Sequence, residues 1–343
     1  MAETLIQIDD NGLYCAAGDF YIDPWRPVAR AVVTHAHADH ARPGSRAYLA
    51  AADGARVLRT RLGADAAIET IDYGQPAQIN GVRVSLHPAG HILGSAQVRV
   101  EHRGEVWVIS GDYKAGHDAT CAPLEPVRCH TFVTESTFGL PLYRWRPQAE
   151  IFDAINAWWR ANQLAGKASL LFAYALGKAQ RLLAGVDPAI GPIFTHGAVE
   201  RLVADYRASG VALPATTHAA PGHRADWSQA LIVAPPSALG TPWMRRFGSP
   251  STGFVSGWMQ LRGTRRRKAV DRGFALSDHA DWPELLETIA ATGAERVWVT
   301  HGYSAVLARW LTEHGIAAGV AQTQFEGERA DLGAADDAPE DQL

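Results

Sequence analysis

The feature that most constrains this chain is the stretch Thr34–His40, which reads THAHADH. It places four side chains of metal-binding types close together: His35, His37, Asp39 and His40. The apolar run at residues 29–33 precedes them, and its β-branched residues predict a buried strand. The four side chains therefore follow a strand end, where α/β proteins concentrate their chemistry. Imidazole and carboxylate groups suit zinc and similar first-row metals, so the sequence predicts a metal site here.

The same arrangement, an apolar strand followed by a polar residue, recurs further along the chain. His91, Asp112 and Glu135 each follow a predicted strand. Loops at strand ends can bring distant residues into one site. Helices are predicted between the strands, among them residues 150–162 and 282–292. This alternation predicts an α/β fold, and in the middle of the chain it favours a parallel sheet.

The charge of the chain is unevenly distributed. The net charge is −4, yet residues 141–272 hold 17 Lys and Arg against 7 Asp and Glu, whereas the remainder holds 15 against 29. A charge run is often only a solvated surface, but a basic segment of this size favours contact with the phosphates of nucleic acid. The predicted phosphate or substrate contacts in this segment are Lys178, Ser256 and Arg262.

The motifs together resemble a known family. The string His35-x-His37-x-Asp39-His40, then His91 in a GHxxGS context and Asp112 after Ser-Gly, resembles the metallo-β-lactamase superfamily. Three further segments resemble motifs A, B and C of its β-CASP nucleases: Thr134–Thr137, Ser277–Asp281 and Val299–Gly302. Within that group, the size and the THAHADHARPGS string are similar to the bacterial ligase-associated DNA exonucleases, some of which are called mRNA 3′-end processing factors.

The resemblance implies a fold and its domain boundaries. The fold would be a metallo-β-lactamase αββα sandwich with an inserted β-CASP-type α/β domain. Residues 1–140 would form the first part of the sandwich, 141–272 the basic insertion, and 273–325 the last part of the sandwich. Residues 326–343 are acidic and rich in Ala, and we expect them to form a flexible tail.

The resemblance also implies how the ligands are shared between two metal ions. One ion would be held by His35, His37 and His91, and the second by Asp39, His40 and His301, with Asp112 between them. The spacing agrees with the first set, because residues i and i+2 on an extended segment point the same way. Such donors accept Zn²⁺, Mn²⁺ or Fe²⁺, so the native metal stays open.

The catalytic roles that the resemblance implies fall on Asp39, Glu135 and His279. Two cations lower the pKa of a shared water from ~16 towards ~7. His279 would protonate the departing 3′-oxygen, and Glu135 would hold His279 in the right tautomer. The alternative is that Glu135 and His279 form a structural pair that braces the domain interface.

The sequence therefore predicts a metal-dependent DNA exonuclease, acting 5′ to 3′ with a preference for single strands, in DNA repair. A DNA ligase and a helicase are the expected partners. The main alternative is a ribonuclease in RNA processing, because RNA-processing members often carry His at the position of His301. A small-molecule metallohydrolase is disfavoured by the basic insertion. An inactive nucleic-acid-binding scaffold is disfavoured because every ligand position is filled.

The expected compartment is the cytoplasm. The chain does not start with the basic-then-apolar order of a signal peptide, and no apolar run approaches the ~20 residues of a membrane span. Its three cysteines include no CxxC pair, which favours a reducing environment.

Overall fold

The structure is a computed structural model that describes residues 4–261 and 270–324, and these residues form two compact units. The first unit has boundaries at Arg144 and His279, and the second runs from Trp145 to Asp278. The sequence analysis expected these boundaries at 140/141 and 272/273, which are four and six residues earlier in the chain. The predicted tail at 326–343 lies outside the described residues.

Within the described residues the chain forms both strands and helices. The strands in chain order are β1 (Gln7–Asp9), β2 (Gly12–Cys15), β3 (Phe20–Ile22), β4 (Ala31–Val32), β5 (Tyr48–Ala51), β6 (Ile68–Ile71), β7 (Pro76–Ile79), β8 (Val82–Pro88), β9 (Ala96–His102), β10 (Glu105–Ile109), β11 (Thr131–Thr134), β12 (Ser169–Phe172), β13 (Ile193–Thr195), β14 (Thr217–His218), β15 (Leu231–Ala234), β16 (Ser251–Val255), β17 (Arg272–Phe274), β18 (Arg296–Val299) and β19 (Ala317–Val320). The α-helices are α1 (Ala55–Leu62), α2 (Gln148–Leu164), α3 (Lys178–Gly185), α4 (Gly197–Ala208), α5 (Trp282–Thr292) and α6 (Ser304–Glu313). This mixture confirms the predicted α/β class.

The first unit contains two mixed sheets with a shared apolar core. Their strand orders are β1-β2-β3-β4-β5-β6 and β19-β18-β11-β10-β9-β8-β7. Phe20 and Val32 of the first sheet lie in one buried cluster with Val84 and Val98 of the second. The opposite side of the second sheet is covered by α5 and α6, which pack on strands β10, β11 and β18.

Parallel pairing in the first unit brings the polar residues together. Strands β10, β11 and β18 are neighbours and run parallel. The carboxyl ends of parallel strands meet at one edge of a sheet. Asp112, Glu135 and His301 follow these three strands, so they lie at the same edge. Strands β3 and β4 also pair in parallel, with Ile22 opposite Val32, which aligns Asp23 with the start of the THAHADH stretch.

The second unit is built on a sheet that is parallel throughout, as the alternation of helices and strands predicted. Its order is β14-β13-β15-β12-β16-β17. Helices α2, α3 and α4 contribute Trp159, Leu183 and Val203 to the buried cluster on this sheet. Strand β17 belongs to this sheet, so the second unit extends beyond residue 272.

Helix α5 begins and ends at the residues that the sequence predicted. Asp281 caps its amino end, and Asp281 and Glu284 form a reciprocal capping box. Gly293 ends the helix with a left-handed φ of 60°, a conformation that glycine adopts without a steric penalty. No helix among residues 4–261 and 270–324 has both the length and the apolar character to cross a membrane.

Candidate metal centre

Three imidazole rings of the first unit converge on one point. The Nδ1 atom of His37 lies 3.1 Å from Nε2 of His35 and 3.0 Å from Nε2 of His91. The ring centroids of each pair are 4.8 Å apart, and the rings meet edge to face. Asp112 completes the group, because its Oδ2 atom lies 3.6 Å from Nε2 of His35.

A second group lies beside the first. It contains Asp39, His40 and His301, and the rings of the two histidines stack with centroids 5.3 Å apart. Asp112 contacts this group as well, with its Oδ2 atom 3.6 Å from Nε2 of His40 and its Oδ1 atom 4.0 Å from Nε2 of His301. One buried carboxylate therefore lies between two sets of ligand-type side chains.

The residues present fit a pair of divalent metal ions. The ligand-type atoms within each group all lie within 4.8 Å of one another. Two nitrogens that bind one ion through bonds of ~2.0–2.1 Å lie about 3 Å apart. The Oδ1 atom of Asp112 is buried and has no hydrogen-bond partner among the residues that the structure describes. A buried carboxylate oxygen of this kind calls for a cation.

Burial and neighbouring charges both shift the pKa values of the ionisable groups in this site. Burial lowers the pKa of His301 to about 3 and that of His35 well below its usual value, so both imidazoles are neutral, the form that binds metal. Burial also disfavours a charged His40, but the carboxylates of Asp39, Asp112 and Asp23 outweigh it and raise its pKa to about 10. Burial raises the pKa of Asp112.

Asp23 is a supporting residue that the sequence analysis did not single out. Its Oδ2 atom lies 2.7 Å from Nδ1 of His40, and its Oδ1 atom accepts a hydrogen bond of 2.7 Å from the backbone N–H of Thr34. With Nδ1 of His40 turned to Asp23, Nε2 faces the site. In the sequence Asp23 directly follows the short apolar stretch at residues 20–22, but that position does not reveal its partner His40.

Glu135 and His279 form a buried pair next to these groups. Nδ1 of His279 lies 3.1 Å from Oε1 and 3.0 Å from Oε2 of Glu135, whose Oε1 also accepts the backbone N–H of Tyr113 at 2.7 Å. Burial works against the ionised carboxylate, but the opposing His279 and its hydrogen bonds lower the pKa of Glu135. The His279 ring lies 4.6 Å from the His91 ring.

His301 lies in a strained turn that Ser136 supports. The φ of His301 is 58°, in the left-handed region, which residues other than glycine rarely adopt. The Ser136 hydroxyl donates to the carbonyls of Thr300 and His301. The next residue, Gly302, leaves no room for a side chain, since an added Cβ would lie 2.3 Å from the Ser136 carbonyl oxygen. Such strain is typical of functional sites.

Two of the three residues predicted to contact the substrate, Lys178 and Ser256, are buried. Lys178 is fully buried in the second unit, and its ammonium group forms an ion pair of 2.9 Å with Asp278. This pairing argues against the direct phosphate contact predicted for Lys178. Ser256 is also fully buried, and its hydroxyl oxygen accepts the backbone N–H of Trp258 at 3.3 Å. Arg262 lies outside the described residues.

Known proteins resemble this chain in sequence. A protein named Probable DNA ligase from Opitutus terrae (strain DSM 11246 / JCM 15787 / PB90-1) is 31% identical over 314 residues, which are 90% of this chain and 30% of that protein. Endoribonuclease YSH1 from Yarrowia lipolytica (strain CLIB 122 / E 150) is 32% identical over 122 residues, 35% of this chain. The chain belongs to the β-CASP group of the metallo-β-lactamase superfamily. This β-CASP chain matches only 30% and 14% of the length of these two relatives.

A solved structure resembles the β-CASP chain in fold. The crystal structure of a protein of unknown function from Enterococcus faecalis V583 matches with a TM-score of 0.58 and 11% identity. The match covers 87% of this chain and 80% of the other. At this identity the likeness concerns the fold alone. No protein-family model matches the chain.

Proposed function

We propose that this β-CASP chain is a metal-dependent DNA exonuclease that hydrolyses phosphodiester bonds. The observation that carries the proposal is the convergence of six His and Asp side chains around Asp112, beside the Glu135–His279 pair. In this proposal the two packed sheets of the first unit are the αββα sandwich. The second unit, with its parallel sheet, is the inserted domain.

The proposed ligand sets follow the two groups in the structure. His35, His37 and His91 would hold one ion and Asp39, His40 and His301 the other, while Asp112 lies between the two groups. Two bound Zn²⁺, Mn²⁺ or Fe²⁺ ions would supply positive charge that polarises the phosphate and makes a water more acidic.

The chain's own residues manage the protons of the reaction. A water oxygen forms a bond to phosphorus while the bond from phosphorus to the 3′-oxygen breaks. Asp39, whose side chain is 19% exposed, accepts the proton that the water gives up. His279 donates a proton from Nε2 to the departing 3′-oxygen, because Glu135 holds Nδ1 on the opposite side of the ring. The products are a 5′-phosphate and a 3′-hydroxyl.

The choice of substrate rests on the relatives. The relative that matches 90% of the chain is named Probable DNA ligase, which supports DNA as substrate, a role in repair and a ligase as partner. The cytoplasmic location stays a prediction from the sequence. A helicase partner stays a prediction from the family resemblance, as do the 5′-to-3′ direction and the preference for single strands. A ribonuclease is the second candidate, favoured by the endoribonuclease relative and by His301.

The test is a cleavage assay with matched substrates. Purified protein is incubated with Mn²⁺ or Zn²⁺ and with 5′- or 3′-labelled DNA and RNA of one sequence, single- and double-stranded. We expect stepwise shortening of single-stranded DNA from the 5′ end and no turnover by Asp112→Ala. Cleavage of RNA alone would overturn DNA as the substrate. Internal cuts would overturn the exonuclease, and wild-type activity equal to that of Asp112→Ala would overturn the metal-dependent nuclease.

A further inference from the structure

We infer that Lys114 is a positioning residue that sets the place of His279 relative to Asp112, an inference that rests on the proposed nuclease function. Lys114 follows Asp112 by two residues, and its ammonium group pairs with Glu284. The contacts of Lys114 described below lie within the first unit.

The side chain of Lys114 is tied to the start of helix α5. Its Nζ atom lies 2.8 Å from both carboxylate oxygens of Glu284, and its side chain is only 4% exposed. Glu284 also accepts the backbone N–H of Asp281 at 3.2 Å within the capping box. The ion pair therefore fixes the first turn of α5, directly after His279.

The backbone of Tyr113 links the same segment to Glu135 and to the residue after His279. The Tyr113 carbonyl accepts the N–H of Ala280 at 2.7 Å, and the Tyr113 N–H donates to Glu135 at 2.7 Å. Since Glu135 pairs with His279, the contacts form a closed ring around the proposed proton donor. A shift of the start of α5 would therefore change the position of His279 relative to Glu135.

Lys114 also contacts the loop that carries His91. Its N–H donates to the Ala89 carbonyl at 3.0 Å. Its own carbonyl lies against Gly90, where an added Cβ would be 2.2 Å away. One residue thus joins the loop of His91, the segment of Asp112 and the helix after His279.

The energetics of the Lys114–Glu284 ion pair favour a role in positioning over a role in stability. Burying an ammonium and a carboxylate carries a desolvation penalty that their attraction only partly offsets, so apolar residues of similar size would be about as stabilising. A paired Lys and Glu instead fix distance and direction. Loss of Lys114 should therefore change the placement of His279 more than it changes the affinity for metal.

The test compares two substrates whose leaving groups differ in their need for a proton. Lys114→Met, Glu284→Gln and His279→Ala are compared on single-stranded DNA and on bis(p-nitrophenyl) phosphate, whose leaving group needs no proton. We expect Lys114→Met to lower kcat on DNA by about tenfold to a hundredfold, with unchanged KM and metal content, and to stay within about twofold on the nitrophenyl ester. His279→Ala should show the same pattern, more strongly. Arg309→Met, which breaks an exposed ion pair with Glu313 in the same unit, is the matched control.

The outcomes separate this inference from the proposed function. Full activity of Lys114→Met on DNA would overturn the positioning role, and so would equal losses on both substrates. If Lys114→Met does not fold, Glu284→Gln decides on the same criteria, since Gln preserves the capping hydrogen bond without the charge. A wild-type protein that cleaves neither substrate would overturn the proposed function instead.

Discussion

At the scale of single residues, the site depends on side chains that orient the candidate ligands. Asp23 accepts hydrogen bonds from Thr34 and faces Nδ1 of His40, so it determines which nitrogen of His40 is presented to a metal. Its φ of 44° is one that Asp tolerates better than most residues. Supporting residues of this kind commonly matter nearly as much as the ligands.

Asp23→Asn should weaken metal binding without unfolding the chain. The amide of Asn turns a donor towards His40, which favours a proton on the nitrogen that faces the site. We expect the affinity for the second ion to fall about 10- to 100-fold. Calorimetric titration of the chelator-treated protein with Zn²⁺ measures this. Asp9→Asn, at an exposed carboxylate that accepts from Asn11, is the control, and equal affinities in both variants would contradict the role of Asp23.

The charge on His40 predicts a pH dependence for the metal-free protein. Burial alone would lower the pKa of His40, but three carboxylates raise it from 6.5 to about 10. The folded state then holds the proton more tightly than the unfolded chain, so the contribution to stability is complete below pH 6.5 and is lost as the pH rises through about 10.

We therefore expect the difference in the free energy of unfolding between wild type and His40→Gln to shrink over this range. Urea unfolding of both chelator-treated proteins at pH 6, 8 and 10 measures it. A difference that stays constant or grows with pH would count against the assigned charge.

At the scale of elements, the loop that carries His91 reaches the start of α1 through two glycines. A Cβ on Gly94 would lie 2.1 Å from the Cα of Gly54, so Gly94 has no room for a side chain, and a Cβ on Gly54 would lie 3.0 Å from the Cα of Gly94. Gly94 also has a φ of 78°, in the region that favours glycine. The loop therefore keeps its position only with glycine at this point.

Gly94→Ala should destabilise the fold more than a glycine replacement in an open turn. Gly104, in the β9–β10 hairpin, has a φ of 84° and nothing within 4 Å of an added Cβ. Gly104→Ala should cost about 1 kcal/mol for its backbone conformation, and Gly94→Ala about 1–3 kcal/mol more for the collision. Urea unfolding measures both, and equal losses would show that the close approach is not a constraint.

Elements were predictable where the chain carries start and stop signals. Helix α5 has Asp281 at its cap, Glu284 three residues later and Gly293 after its end, and its predicted bounds match the structure. Helices α4 and α6 were not predicted. His196 and Tyr303 precede them, and neither is a residue type that commonly begins a helix. Strand β19 pairs only after α6 returns the chain to the sheet, which local pattern cannot reveal.

The same division holds for the candidate site. Spacing singled out His35, His37, Asp39 and His40. Position after a predicted strand singled out His91 and Asp112, and the family resemblance added His301. The structure places all seven in two adjacent groups. Asp23 and Lys114 were not predictable, because their partners His40 and Glu284 are distant in sequence and meet only through strand pairing and helix packing. Burial of Lys178 likewise depends on the fold of the second unit.

At the scale of the whole molecule, the ions would be part of the folded state. Buried imidazoles and carboxylates that face one another lower the stability of the folded chain unless a cation binds between them. A ligand that binds only the folded chain stabilises it, by about 4 kcal/mol at a concentration 1,000 times its dissociation constant.

Chelation should therefore lower the thermal unfolding midpoint of the wild type. Asp112→Ala should respond far less, because it already lacks the carboxylate between the two groups. Calorimetry with and without EDTA measures both midpoints. A wild-type midpoint that EDTA leaves unchanged would contradict a structural contribution from bound metal.

The most direct test of the central claim is the metal content of the purified protein after extensive dialysis, measured by inductively coupled plasma mass spectrometry. We predict two divalent ions per wild-type chain and at most one in Asp112→Ala, with the Arg309→Met control equal to wild type. A wild-type chain that retains no metal, or an Asp112→Ala chain that retains two ions, would contradict the account.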